Sequence, residues 1–86
     1  MYKRKKIITS SNGKKYFVRI TRGESDAFYN AQLYSYSIFP KLLNECNYFN
    51  NSLKKISTDL VDDYTKGNIS LNVKEENEFK DWDGRI

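Results

Sequence analysis

The feature of this sequence that most constrains its fold is a turn signal, Asn12-Gly13, between two runs rich in β-branched and aromatic residues. The runs cover residues 6–9 and 16–21, and an Asn-Gly pair supplies the positive φ angles that a tight turn needs. This pattern predicts a β-hairpin. Alternation along the second strand separates the side chains that face a core from those that do not. The core candidates are Tyr16, Val18 and Ile20.

A third strand is predicted over residues 28–39, after a turn at 23–26. Alternation gives this strand one apolar side and one side of amides and phenols. The apolar side carries Tyr29, Ala31 and Leu33. The other side carries Asn30, Gln32, Tyr34 and Tyr36. Pro40 ends the strand because proline cannot donate a hydrogen bond to a ladder.

Residues 41–51 carry two conflicting signals. Apolar residues recur there at helical spacing just after Pro40, which suits a helix start, whereas four asparagines favour turns. A short helix and a fourth strand both remain open for this segment.

The clearest helix signal covers residues 52–66, where five apolar positions share one stripe. These positions are Leu53, Ile56, Leu60, Val61 and Tyr64. Asn51 or Ser52 can cap its start, and Gly67 can adopt the left-handed conformation just past its end.

A short C-terminal helix is predicted next, with Asn72 as its cap, Glu75 as the capping-box partner and Gly84 as its stop. Alternation over 69–73 also allows a strand before it. Phe79 and Trp82 lie on a common side of this helix.

These elements predict an α+β fold in a single domain, residues 1–86. A three- or four-stranded antiparallel sheet, formed by the hairpin and strand 28–39, packs one face against the amphipathic helix 52–66. The sequence leaves open whether the C-terminal helix folds back over the second sheet face.

Charge is divided unevenly along the chain. The first 22 residues carry eight Lys and Arg and no acidic residue, whereas the remaining 64 carry seven bases and eleven acids, and the two parts sum to the net charge of +4. Eight cations on a hairpin suit contact with phosphates, but lysines on an exposed or edge strand also prevent edge pairing and keep a tyrosine-rich chain soluble.

Few chemistries are available to these side chains. There is no histidine, and one cysteine, Cys46, cannot form an internal disulfide or a cysteine-only zinc site. We expect Cys46 to be a buried structural thiol. The acidic residues near the C-terminus are expected to form a solvated helix face. The sequence therefore predicts a protein that is not an enzyme, with no cofactor and no metal.

The cellular setting is also predicted from composition. Neither a signal peptide nor a membrane span is evident, so we expect a cytoplasmic protein that does not associate with a membrane. The richness in Lys, Asn, Ile and Tyr is compatible with an accessory protein of a phage or mobile element.

The second sheet face suggests the function. If the helix covers the Tyr16 side, the opposite side presents aromatic and cationic residues, the types that most often anchor protein interfaces. The residues predicted to bind a partner are Lys15, Phe17, Arg19, Tyr34 and Tyr36. We expect a small protein-binding module that docks on a larger protein and regulates or inhibits it.

Two alternatives accompany this prediction. The basic hairpin is suited to binding nucleic acid, because cations release counterions from phosphates and Phe17 is placed to stack on an unpaired base. The supporting cations would be Lys3, Arg4, Lys5, Lys6, Lys14 and Arg22. The uneven charge also allows a homodimer, in which the basic hairpin of one copy meets the acidic remainder of another.

Overall fold

A computed structural model describes residues 2–23, 28–49 and 52–86, with the side chain of Tyr2 outside the description. Four strands precede two helices. The strands are β1 (Tyr2–Thr9), β2 (Lys15–Arg22), β3 (Phe28–Ser35) and β4 (Leu42–Phe49), and the helices are α1 (Leu53–Thr65) and α2 (Leu71–Asp81). The strands form one antiparallel sheet in the order β1-β2-β3-β4. The predicted α+β class is confirmed.

The predicted hairpin is β1–β2. Thr9 pairs with Lys15, and Gly13 adopts the positive φ of 84° that the turn requires. The Asn12 side chain supports the turn by accepting a hydrogen bond from the Lys14 amide, 3.0 Å away. The turn predicted at 23–26 lies mostly outside the described residues.

The third strand is shorter than predicted, because it ends at Ser35 rather than continuing to residue 39. Residues 36–39 instead form bends, and the Ser35 amide donates across the loop to the Lys41 carbonyl at 2.9 Å. The chain then returns directly as β4. The fourth strand is therefore the correct alternative for residues 41–51, and the short helix is wrong.

A β-bulge explains why β4 is hard to recognise in the sequence. Tyr34 pairs with Leu42 and Leu33 pairs with Asn44, so Leu43 is an extra residue in the strand. The insertion interrupts simple alternation and lets Leu43 pack against the core.

The core lies between α1 and one face of the sheet, which we call the helix face. Its buried side chains are Tyr16, Val18, Ile20, Ala31, Leu33, Ile56, Leu60 and Val61. The three predicted β2 residues and three members of the predicted α1 stripe are thus confirmed as core. Tyr16 and Tyr64 join the two layers edge to face, with ring centroids 6.0 Å apart.

Both ends of α1 are capped as its sequence indicates. The Ser52 hydroxyl accepts a hydrogen bond from the Lys55 amide at 3.0 Å, whereas Asn51 lies outside the described residues. At the other end Gly67 has φ 81°, and the Gly67 and Asn68 amides donate back to Tyr64 and Asp63 carbonyls. This pair of bonds is a Schellman motif.

The limits of α2 differ from the prediction. Its cap is Ser70 rather than Asn72, and the strand allowed over 69–73 is absent because Leu71 already begins the helix. The helix ends at Asp81, where Trp82 turns to an extended conformation, so Gly84 lies beyond its end and is not the stop.

One buried polar residue fixes the position of α2. Asn44 on β4 is 1% exposed, and its side-chain oxygen accepts hydrogen bonds from the Glu45 amide at 2.9 Å and the Ser70 amide at 3.2 Å. The Asn77 side chain then donates to the Leu42 carbonyl at 3.1 Å. The helix is thereby held along β4, on the side that also carries α1, through contacts that no apolar pattern reveals.

The prediction for Cys46 is wrong, because its side chain is exposed. Cys46 lies on β4, an edge strand of the sheet, and does not belong to the core cluster.

Candidate functional site

The candidate site is the sheet face opposite the helices, which we call the open face. Side chains alternate between the two faces of a strand, so residues one step away from the core positions point to this side. The open face comprises Lys3, Lys5, Ile7, Lys15, Phe17, Arg19, Phe28, Asn30, Gln32, Tyr34, Glu45, Asn47 and Phe49.

An aromatic cluster occupies one end of the open face. Phe17 pairs with Tyr34 across β2 and β3, and the ring of Tyr36, just past β3, packs on Phe17 with centroids 5.1 Å apart. The ammonium of Lys15 lies 5.7 Å from the centre of the Tyr36 ring, within cation–π distance. The cluster therefore combines apolar surface with the positive charge of Lys15, which the Tyr36 ring holds in place.

A band of hydrogen-bonded polar side chains crosses the middle of the open face. The Tyr34 hydroxyl donates to Gln32 Oε1 at 3.0 Å, and Gln32 Nε2 donates to Glu45 Oε2 at 2.6 Å. Beside them Asn30 Nδ2 donates to Asn47 Oδ1 at 3.0 Å. These bonds fix the side chains, so a ligand would meet a surface that is already ordered.

Cations cover the β1–β2 half of the open face. Lys3, Lys5, Lys15 and Arg19 lie here, and Glu45 is the one carboxylate that the described strands contribute to this face. None of these four cations forms an ion pair with a described residue, and Arg19 Nε is buried without a hydrogen-bond partner.

The crowding of positive charge affects Lys3. The neighbouring Lys5 ammonium, followed by the Arg19 guanidinium, lowers the pKa of Lys3 below its usual value. A carboxylate brought to this half of the face would relieve that repulsion.

A second aromatic pair lies at the far end of the open face. Phe28 and Phe49 face each other across β3 and β4, with ring centroids 5.0 Å apart, and both are exposed. This pair is not evident from the sequence. Alternation places Phe28 on the same side as Tyr34, but Phe49 is placed only once β4 is known to be a strand.

The loop after β3 presents two further apolar side chains that were missed. Ile38 and Phe39 are 91% and 89% exposed. The loop is held by the Ser35 hydroxyl, which accepts from the Lys41 amide at 2.8 Å, and by the Ser37 hydroxyl, which donates to the Phe39 carbonyl at 2.9 Å. The loop follows Tyr36 directly in the chain.

The C-terminal helix leaves the open face uncovered. Phe79 and Trp82 contact each other with centroids 5.9 Å apart, and both remain exposed. The helix lies along β4, where the Lys41 ammonium is 3.3 Å from an Asp81 carboxylate oxygen. The alternative in which this helix seals the second sheet face is therefore wrong.

The structure brings together all five residues predicted to bind a partner, since Lys15, Phe17, Arg19, Tyr34 and Tyr36 lie on or beside the open face. The cations of the nucleic-acid alternative are divided. Lys3 and Lys5 lie on the open face, and Lys14 lies in the hairpin turn. Alternation directs Arg4, Lys6 and Arg22 toward the helix face. Arg22 there lies over the Tyr29 ring, 5.0 Å from its centre.

Comparison with protein-family models, with curated proteins and with solved structures finds no match to this chain. Across residues 2–23, 28–49 and 52–86, no helix is long and apolar enough to cross a membrane. In the same described residues, Cys, Asp and Glu side chains form no group of three or more suited to a metal ion. The open face offers stacking, cationic and hydrogen-bonding contacts.

Proposed function

We propose that this protein is a non-enzymatic binding module that docks on a larger, acidic protein through the open face. The observation that carries the proposal is that both helices lie on the other side of the sheet, which leaves an ordered aromatic and cationic surface uncovered. Phe17, Arg19 and Tyr34 are half-buried by their neighbours, while Lys15 and Tyr36 are exposed. A partly exposed aromatic surface of this kind is typical of an interaction site.

The side chains of the open face suit a protein partner. Aromatic rings bury a large area at little cost in side-chain entropy, and Tyr and Arg are enriched among the residues that dominate binding energy. Phe17, Tyr34 and Tyr36 supply the rings, with Ile38 and Phe39 in the loop that follows Tyr36. We infer that these residues fill an apolar depression in the partner.

The cations indicate the charge of that partner. Lys3, Lys5, Lys15 and Arg19 have no described ion-pair partner within the protein, and repulsion already lowers the pKa of Lys3. Acidic side chains around the partner's depression would satisfy them and speed association. The partner's surface is thus apolar at its centre and acidic at its border.

The biological role is proposed from the open face and from composition. A protein that presents such a binding surface can act on a larger protein by occupying that protein's surface. We propose a cytoplasmic regulator or inhibitor of a host factor, of the kind that phages and mobile elements encode.

Nucleic acid is the second candidate ligand for the same surface. The observation that favours it is the position of Phe17 between Lys15 and Arg19 on an uncovered sheet face, where a base could stack while its phosphates meet the cations. The Gln32–Glu45 pair weighs more against nucleic acid than against a protein, because a nucleic-acid backbone carries a phosphate at every nucleotide and the Glu45 carboxylate on β4 would repel those that pass it.

A site-specific photo-crosslinker tests the protein proposal in cells. We would replace Tyr34 with benzoylphenylalanine, and in a matched control replace Phe79, an exposed aromatic residue on α2. We expect one larger protein to be crosslinked from position 34 and not from position 79. Equal crosslinking of the same protein from both positions would exclude the open face as its docking surface.

Affinity measurements on that purified partner then test individual residues. Phe17→Ala or Tyr34→Ala should weaken binding about 30-fold, as expected for an anchor worth at least 2 kcal/mol. Phe79→Ala serves as the matched control and should leave the affinity unchanged. Three variants with wild-type affinity would contradict the proposal.

A further inference from the structure

We propose a second binding site on the opposite side of β1, where an extended acidic segment of a partner protein pairs with the free edge of the sheet and fills the groove between β1 and α1. The site uses none of the aromatic residues of the open face, but it shares Lys3 and Lys5 with that face. It goes beyond the proposed function, because it requires strand pairing at the sheet edge and not docking on the aromatic cluster.

The two edges of the sheet differ. At the β4 edge, Asn77 bonds the Leu42 carbonyl and α2 lies alongside the strand. At the β1 edge, none of the described strands pairs with the outer side of residues 2–9. The outer edge of this eight-residue strand offers backbone donors and acceptors to an added strand, although the Lys3 carbonyl already accepts a hydrogen bond from Arg4 Nη1 at 2.8 Å.

A groove lies directly beside this edge. The helix α1 packs over β3 and β4, so Arg4 and Lys6 on the helix face of β1 stay exposed, while Ile8 on the same face is partly buried against the core. The resulting cavity measures about 1030 Å³. Its lining is mixed. Ile8, Leu53 and Val61 contribute apolar surface above the buried Val18 and Ile20, and the charged residues that line it are Arg4, Lys5, Lys6, Lys54 and Asp62. An added strand would direct every second side chain toward this groove.

The charge of β1 selects the occupant. Residues 3–6 are four consecutive cations, so alternation places positive charge on both faces of the edge strand. Opposite charges across a strand pair stabilise it, whereas like charges destabilise it. The fitting segment therefore alternates acidic side chains, opposite Lys3 and Lys5, with apolar side chains that enter the groove and pack on Ile8 and on the aliphatic stems of Arg4 and Lys6.

The same charge disfavours a second copy of this chain as the occupant. Antiparallel pairing of two β1 strands over their full length would set Lys5 of one copy opposite Lys6 of the other and would bring eight cations together in one strand pair. Lysines on an edge strand protect sheets from such self-pairing. Here they reject a β1–β1 dimer while still admitting an acidic strand.

The test uses a synthetic peptide of alternating Glu and Val, matched in length to β1, and a peptide of alternating Lys and Val as its charge-reversed counterpart. We expect the Glu-Val peptide to bind the full-length protein and to slow amide exchange in β1 but not in β4. The Lys-Val peptide should bind at least about tenfold more weakly. No binding of the Glu-Val peptide, or equal binding of both peptides, would overturn the proposal.

Variants locate the peptide in the groove. Thr58 lines the groove from α1 and is exposed, so Thr58→Phe should obstruct the site and weaken peptide binding about tenfold. Asn72→Phe, at an exposed position of α2, is the matched control and should bind as wild type does. Thermal unfolding of both variants checks that each is folded.

Two further outcomes separate this site from the alternatives. Phe17→Ala should leave peptide binding unchanged, because Phe17 lies on the open face. Loss of peptide binding in that variant would show that the peptide binds the open face, which would overturn the groove proposal. It would not test the binding of a larger partner to the open face. A concentration-dependent dimer with protected β1 amides, seen by sedimentation and amide exchange, would identify a second copy as the occupant instead.

Discussion

At the scale of single residues, Tyr48 is the side chain whose environment most alters its chemistry. It packs against the core from β4, and its buried hydroxyl lies near Cys46 without a hydrogen-bond partner of good geometry. Burial, followed by the charges of Cys46, Asp63 and Asp59, raises the pKa of Tyr48 well above its usual value. The fold therefore favours the neutral phenol.

This raised pKa predicts a loss of stability in alkali. In the unfolded chain a tyrosine ionises near pH 10, while folded Tyr48 stays neutral to higher pH. Its contribution to the free energy of unfolding is therefore fully present below about pH 10 and is lost as the pH rises further. Tyr48→Phe should remove this pH-dependent part of the stability, because phenylalanine does not ionise. Urea unfolding at neutral pH and above pH 10 should show a smaller alkaline loss in the variant, and equal losses would contradict the assignment.

The same substitution should cost little at neutral pH, because a hydroxyl without a partner contributes no hydrogen bond that could be lost. Wild type and variant should therefore have similar free energies of unfolding at neutral pH, so a difference above pH 10 reports the ionisation of Tyr48. A large destabilisation of Tyr48→Phe at neutral pH would show that the hydroxyl does have a partner in solution.

Individual open-face residues could be predicted where strand alternation was visible. Phe17 and Tyr34 were assigned to their face from period-two spacing alone, and the β2–β3 register places them opposite each other. Ile38 and Phe39 could not be found this way, since the chain leaves the strand at Ser35 through serine hydrogen bonds. Cys46 was misassigned because small apolar side chains are usually buried, whereas this one lies on an edge strand.

At the scale of elements, α1 provides the main support for the sheet. Leu60 is fully buried within the core cluster formed by β2, β3 and α1. Leu60→Ala should destabilise the protein by about 2–5 kcal/mol, since it removes apolar area and leaves a cavity. Chemical unfolding monitored by circular dichroism measures this loss. A near-neutral result would show that the helix does not hold the sheet as described.

The second helix depends on polar contacts instead. Val73 is its one buried residue among those described, and Asn44 ties its start to β4 through the Ser70 amide. Asn44→Ala should cost about 1–3 kcal/mol, because two amides lose their acceptor in a buried place. We expect amide exchange to accelerate in α2 more than in α1. Equal acceleration in both helices would mean that Asn44 supports the whole domain rather than α2.

Elements with a regular pattern could be predicted, and those set by tertiary contacts could not. The hairpin and α1 follow from alternation, caps and a five-residue stripe. The β4 strand was hidden because the bulge at Leu43 interrupts its alternation and because Asn44 serves as a buried acceptor, which is rare for asparagine. The start of α2 was misplaced for the same reason, since its partner is Asn44 and not a local capping box.

At the scale of the whole molecule, charge is separated between the two layers. The first strands carry the basic residues, while acidic residues concentrate on the helices, with Asp59, Asp62 and Asp63 on α1. The net charge of +4 thus conceals a cationic sheet and an acidic helical layer. An acidic ligand should approach from the sheet side, and this orientation depends on salt.

The charge separation sets a limit on nucleic-acid binding. With four cations on the open face, contacts to a single strand would give a log–log salt slope of about −3, from roughly −0.7 per phosphate contact. We expect oligonucleotide binding to be negligible at about 150 mM salt, because few phosphates are contacted and Glu45 opposes them. Fluorescence anisotropy with single-stranded and duplex oligonucleotides at rising salt measures this directly.

Lys66→Gln, on the far side of the molecule, is a matched control for the loss of one charge in Lys5→Gln. The contrary outcome is tight binding at about 150 mM salt with a slope near −3, weakened by Phe17→Ala and Lys5→Gln but not by Lys66→Gln. That outcome would identify a nucleic acid, and not an acidic protein, as the ligand of the open face.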